Sequence, residues 1–211
     1  MTGVMEWARA ENLQPEPITL DIWKRLPRNF RQLVEVVNGD AVRADIPTVA
    51  HRNAGRRLSS MLETAAEKHM NRYNDGWLFV ATDLDVLLWD TPRTTLRRPD
   101  VTMFCGEPND HGPMPASRVK IAVEVVSPTT ERVDTADKTA EYALAGIPWY
   151  WLVHMDGERV ACIDIHLLVL RQYRMHRRIR ADIESTLVEM PIEIRIDWHR
   201  LTGLLLGGSH H

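Results

Sequence analysis

The chain has 211 residues, 44% apolar and 26% charged, a globular composition that excludes collagen-like, low-complexity and disordered classes. Its formal net charge of −3 excludes the global basic field of a dedicated nucleic-acid coat protein. Two cysteines are too few for a disulfide scaffold or a four-thiolate metal site, and no apolar run approaches the roughly 20 residues of a membrane helix.

The start, MTGVMEWARAEN, carries Glu6 and Glu11 where a secretory signal needs a basic and then an apolar region. A cytoplasmic protein with no membrane partner is the expectation. The closing GGSHH reads as an expression-tag remnant, so residues 207–211 are set aside. The expected organisation is an N-terminal arm over residues 1–17 and a single domain over 18–206.

In chain order, LDIWKRLP reads as a short helix. RQLVEVVNGDAVRAD reads as a β-hairpin turning at Asn38-Gly39, the dipeptide that most readily takes positive φ. Glu35 lies on its first strand. From His51 to about Tyr73, Ala54, Leu58, Met61, Leu62, Ala65 and Ala66 recur at helical spacing. WLFVATDLDVLLWD is strand material, and residues 91–99 are a loop or hairpin. A short strand at Val101 to Phe104 follows Pro99-Asp100, and residues 106–115 form a surface loop. Ile121 to Val126 is an apolar strand interrupted by Glu124. A helix runs from about Thr135 to Ala145, with Asp134 as its N-cap and Gly146 as its stop. Later strands are expected at 150–153, 159–169, 171–175 and 192–196. Strands and hairpins with two clear helices argue for a mixed sheet with helices packed on it, in the α/β or α+β class.

Three features carry chemistry: Asp100 at a strand start, Glu124 inside a buried strand, and Asp134 with Lys138 on the following helix. Side chains alternate along a strand, so Glu124 shares a face with Ala122 and Val126, away from Ile121, Val123 and Val125. A carboxylate on an apolar face needs a cation, a donor or a metal. If Asp100 adjoins it, two repelling carboxylates invite a hard divalent ion such as Mg²⁺. An ordinary buried ion pair of Glu124 with an Arg or with Lys138 fits the spacing equally well.

RRPDVTMF followed by KIAVEVVSPTTERVDTADKTAEYALAGIPWYWLV resembles the Uma2 family of restriction endonuclease-like proteins, whose core reads PD, EV-x-SP-x-T, D-x-x-x-K, Y-x-x-x-G-[IV]-P and YW. The hairpin RLPRNFRQLVEVVNGDAV and His51 fit the family's N-terminal pattern. The resemblance spans about Leu20 to Leu205. It implies the PD-(D/E)xK nuclease fold and Mg²⁺-dependent phosphodiester hydrolysis, with Mn²⁺ able to substitute. By that resemblance Asp100 and Glu124 match the metal-binding acids, and Glu35 matches an acidic position that would complete the metal shell. Val126 stands where the ordinary motif has Lys; the helix-borne Lys138 takes that place in Uma2-like chains. The implied mechanism has the ion lower the pKa of a bound water and polarise the phosphate, while Lys138 orients the water or offsets charge.

For substrate, the basic stretch Arg171, Arg174, Arg177, Arg178 and the run Arg97-Arg98 are candidates for phosphate contact, the first also reading as a solvated edge strand. His51 and Asp134 are auxiliary candidates. DNA is the expected partner and a homodimer the expected assembly. The competing expectation is a catalytically silent nucleic-acid-binding or assembly protein that retains the fold.

Overall fold

The computed structural model of the protein describes residues 16–44, 46–73, 77–106, 112–126, 134–181 and 185–202. The expected arm falls mostly outside them, as do Ser127-Pro128 and the tag residues.

Helix α1 (Leu20–Arg25) opens on Thr19, whose hydroxyl accepts the Ile22 N–H at 3.2 Å, and the short helix α2 (Arg28–Arg31) follows. Strands β1 (Val34–Val37) and β2 (Asp40–Arg43) pair antiparallel. Between them Asn38 and Gly39 have φ of 51° and 84°, the left-handed pair that matches the twist of a tight hairpin. Helix α3 (Val49–Tyr73) starts where Thr48 accepts the His51 N–H at 3.2 Å, and buries the 54, 58, 61, 62, 65, 66 stripe. Strands β3 (Leu78–Thr82), β4 (Val86–Trp89), β5 (Thr95–Arg97), β6 (Val101–Cys105), β7 (Met114–Pro115) and β8 (Val119–Val126) lead to helix α4 (Asp134–Leu144). Then come β9 (Trp149–Asp156), β10 (Arg159–Val169), β11 (Gln172–Arg180), β12 (Thr186–Val188), β13 (Ile194–Ile196) and helix α5 (Trp198–Thr202).

A six-stranded sheet has the order β11-β10-β9-β8-β6-β3 and a five-stranded sheet the order β2-β1-β5-β4-β7. The larger sheet is mixed: β8 runs parallel to β9 through the α4 crossover, and its other pairs are antiparallel. This is the mixed-sheet α+β architecture expected. One face of β8, with Ile121, Val123 and Val125, packs under α3 with Trp149 and Trp151. Its other face, with Ala122, meets Tyr142 of α4 and Tyr150 of β9.

Several boundaries differ from the sequence reading, among them β9, which runs over Trp149–Asp156, and β7, which lies within the expected loop. Residues 91–99, expected as a loop or hairpin, take the hairpin form: β5 pairs antiparallel with β4, and its Thr95 and Leu96 are buried. β11 runs to Arg180 because it pairs with β10 along most of its length, and the charge that lines this edge strand hides its strand period. α4 is described from Asp134, which is already helical.

Candidate functional site

Glu35 of β1, His51 of α3, Asp100 before β6, Glu124 of β8 and Lys138 of α4 line one open cleft of ≈ 1340 Å³. Asp100 and Glu124 meet through sheet register. Val101 is paired with Val123, so one residue further along this antiparallel pair Asp100 lies opposite Glu124. Asp100 is fixed on both oxygens: Oδ2 accepts the Val125 N–H at 2.7 Å and Oδ1 lies 2.8 Å from His51 Nε2.

Glu124 is 7% exposed. Tyr142 donates its hydroxyl to Oε1 at 2.7 Å, and Lys138 Nζ lies 3.2 Å from Oε2. Burial pushes the Glu124 carboxyl up to about 7; Lys138 opposes that rise, and the negative charges of Asp100 and Glu35 add to it. Burial and the Glu124 charge raise Tyr142 well above the usual phenol range, so it stays a neutral donor. Burial disfavours the charged His51 ring, yet the hydrogen bond and charge of Asp100 outweigh it and raise His51 above its ordinary value.

Glu35 sits behind this pair. Its Oε2 accepts from Arg97 Nη1 at 2.7 Å, its Oε1 from the Arg98 backbone N–H at 2.8 Å, and Lys138 Nζ is 3.8 Å from Oε1. Arg97 also forks onto Glu141 of α4 at 2.6 and 3.1 Å. One guanidinium therefore ties the hairpin of the smaller sheet to the helix that carries Lys138.

The sequence profile of the Uma2 family, described as "Putative restriction endonuclease", matches residues 21–187. The chain belongs to the Uma2 family. A crystal structure of a putative nuclease belonging to DUF820 from Anabaena variabilis superposes with a TM-score of 0.56 at 16% identity, covering 90% of this chain and 93% of that one. That likeness shows the shared fold, which is of the restriction endonuclease-like type. No curated protein matches the chain. No helix among the described residues is long and apolar enough to cross a membrane.

In this Uma2 chain the cleft gathers Asp100, Glu124, Lys138, Glu35 and His51. The Asp134 side chain lies outside what the structure describes. Arg97 was a candidate for phosphate contact, but it is 4% exposed and divided between Glu35 and Glu141, so it braces the site. Arg98 lines the cleft, with its guanidinium bonded to Asp85 Oδ1 at 2.9 Å and to the Arg31 and Gln32 carbonyls.

Register places Glu124 in one row with Leu152, Asp164 and Arg178, so Arg178 shares the face of Glu124 at about 14 Å, three strand spacings away. There it forks onto Asp164, which His154 also contacts at 3.0 Å. Arg177 donates to the Leu187 carbonyl, Arg174 is exposed, and Arg171 has φ of 62° in the turn before β11.

Sequence reasoning did not single out Glu141, Asp83 or Asp85. Glu141 had a readable signal, since Lys138, Glu141 and Tyr142 at i, i+3, i+4 share one face of α4. Asp83 and Asp85 line the cleft from the β3–β4 connection. Burial raises the pKa of both, with Asp100 adding to the rise at Asp83 and Arg98 opposing it at Asp85. These pairings cross between strands and have no local sequence pattern.

Proposed function

We propose that this Uma2 protein is a Mg²⁺-dependent nuclease that hydrolyses DNA phosphodiester bonds, acting in the cytoplasm as a homodimer. The observation that carries this reading is the convergence of Asp100 and Glu124 from adjacent strands, beside Lys138, at an open cleft.

The donor set fits a hard divalent cation. Two carboxylates are held side by side, one of them buried and raised to about 7 by burial and by negative neighbours, and an added positive charge relieves that repulsion. Asp100 and Glu124 would hold the ion, with Glu35 behind them as a further acid. When bound, it would supply a water of lowered pKa and charge stabilisation at the phosphate.

The chain's own groups do the rest. Lys138 holds a fixed ammonium at the cleft, where it can orient a nucleophilic water or offset charge developing on the phosphate. Tyr142 orients the Glu124 carboxylate. His51 and the Val125 N–H orient that of Asp100, and Arg97 keeps Glu35 and α4 in register. Such bracing matters because a misplacement of about 1 Å can reduce rate by about 10².

The test is cleavage of end-labelled duplex DNA with Mg²⁺, Mn²⁺ or EDTA by the parent protein and by Asp100→Asn. Metal-dependent products that fall at least about 10²-fold in the variant support the reading. A parent that binds DNA yet yields no product with either metal is a silent binding protein, and a variant that cuts at the parent rate places the chemistry elsewhere.

A further inference from the structure

In the cleft Arg98 is committed to the acid Asp85, whereas a second group of arginines beside it is bonded to no carboxylate. Arg52 lines the cleft from the first turns of α3. Arg56 lies one turn further on, about 6 Å along the axis, and both are exposed. Arg56, Arg57 and Arg200 line a second hollow of ≈ 400 Å³ with Ser60 and Thr82, where Glu63 is the one acid among the described lining residues.

The two hollows adjoin. Thr82 borders the second and Asp83 the first, and Thr82 is paired with Val101, next to Asp100. Arg200 Nη2 donates to Ser60 Oγ at 2.8 Å and Arg57 Nη1 to the Leu201 carbonyl at 3.3 Å. Both bonds point guanidinium groups without neutralising them. Among the described residues the Arg56 side chain has no hydrogen-bonding or ionic partner and the Arg52 side chain makes no hydrogen bond. Asp83, the acid at the junction, feels the positive charge of both Arg98 and Arg52.

Arg97, Arg98 and Arg178, in contrast, are each bonded to carboxylates. Arg174 and Arg177 of β11 are also bonded to no carboxylate, but they are not among the described lining residues of either hollow, so the charge that adjoins the cleft is that of α3.

We propose that DNA leaves the cleft along the first turns of α3, with backbone phosphates on Arg52 and Arg56 and the next in the hollow of Arg57 and Arg200. This path rests on the nuclease reading above and names the surface that holds the substrate outside the cleft. Its chemistry is that of phosphate contacts, which fix register and carry no base sequence.

The experiment is anisotropy of a labelled DNA duplex in EDTA, from 50 to 200 mM salt. It compares the parent with Arg52→Gln/Arg56→Gln and with Arg174→Gln/Arg177→Gln. Loss of two phosphate contacts should flatten the slope of log K against log[salt] by about 1.8 and weaken binding at every salt, with the β11 pair left near the parent. Arg56→Gln alone, at an exposed site without bonds, should flatten it by about 0.9 and provides a folded reference. An unchanged slope in the α3 variants, or a loss found only in the β11 pair, overturns the path while leaving the nuclease reading intact. A parent that binds no DNA overturns both.

Discussion

Lys138 and Glu124 come from different elements, and their charged atoms lie 3.2 Å apart with side chains only 13% and 9% exposed. The ordinary nuclease motif puts the Lys on the strand itself, two residues past the acid. Here Val126 holds that place, 5% exposed on the Glu124 face, and the cation arrives from α4.

Lys138→Met removes that cation from a buried acid. DNA cleavage should fall about 10² or more, the loss expected for a positioned charge in the transition state, while Lys120→Met should change little. The variant should also be less stable by about 3–5 kcal/mol at pH 8, because breaking a buried pair strands a charge. At pH 5.5 the loss should shrink, since Glu124 then takes up a proton. Cleavage at the parent rate would reduce Lys138 to a counter-ion of Glu124.

The raised Glu124 pKa makes stability depend on pH in a fixed direction. A carboxyl shifted from 4.5 to about 7 on folding binds its proton more tightly in the folded state. Its contribution is fully present below pH 4.5 and is lost as pH rises through 7, a change of about 3 kcal/mol. Glu124→Gln has no proton to lose, so its stability relative to the parent should rise across that window and then level off. Denaturant unfolding of both proteins at pH 4.5, 6 and 8 measures this, and a difference constant with pH would contradict it.

Arg97 bridges Glu35 and Glu141 from a site 4% exposed. Arg97→Gln should lower unfolding free energy by about 3–5 kcal/mol, because two carboxylates lose their partner. Arg97→Lys should recover only part of that, since a single ammonium cannot fork onto both. A loss under about 1 kcal/mol in Arg97→Gln would show that the bridge contributes little.

The reach of sequence reasoning follows from where each signal resides. The hairpin was readable because Asn38-Gly39 states its own turn geometry, and the buried acid because Glu124 interrupts an apolar strand. Lys138 as the functional cation came from family resemblance, since its helical spacing equally fits a surface pair with Asp134. Arg97 read as a phosphate contact because RRPD offers two adjacent arginines and nothing local says which one turns inward. That is decided by Glu35 and Glu141, 62 and 44 residues away. β5 was obscured for a similar reason: three residues give too short a run for a strand period to show.

The hairpin turn gives a contrast between two glycines. Gly39 has φ of +84°, and a Cβ there would lie 2.9 Å from Pro17 Cβ; Gly157 has φ of +58° and nothing within 4 Å. Gly39→Ala should therefore destabilise by more than about 1 kcal/mol, and by more than Gly157→Ala, where backbone strain acts alone. Equal losses in thermal or denaturant unfolding would show that the Pro17 contact does not matter.

Asp100 and Glu124 are expected to share one divalent ion. A crystal soaked in Mn²⁺ and measured for anomalous scattering tests it most directly. The expected result is a peak between the two carboxylates, at inner-sphere distances of roughly 2 Å from an oxygen of each, that disappears in Glu124→Gln. No peak at this position, or a peak only at the other group of close donors formed by His154, Cys162 and Asp164, would contradict it.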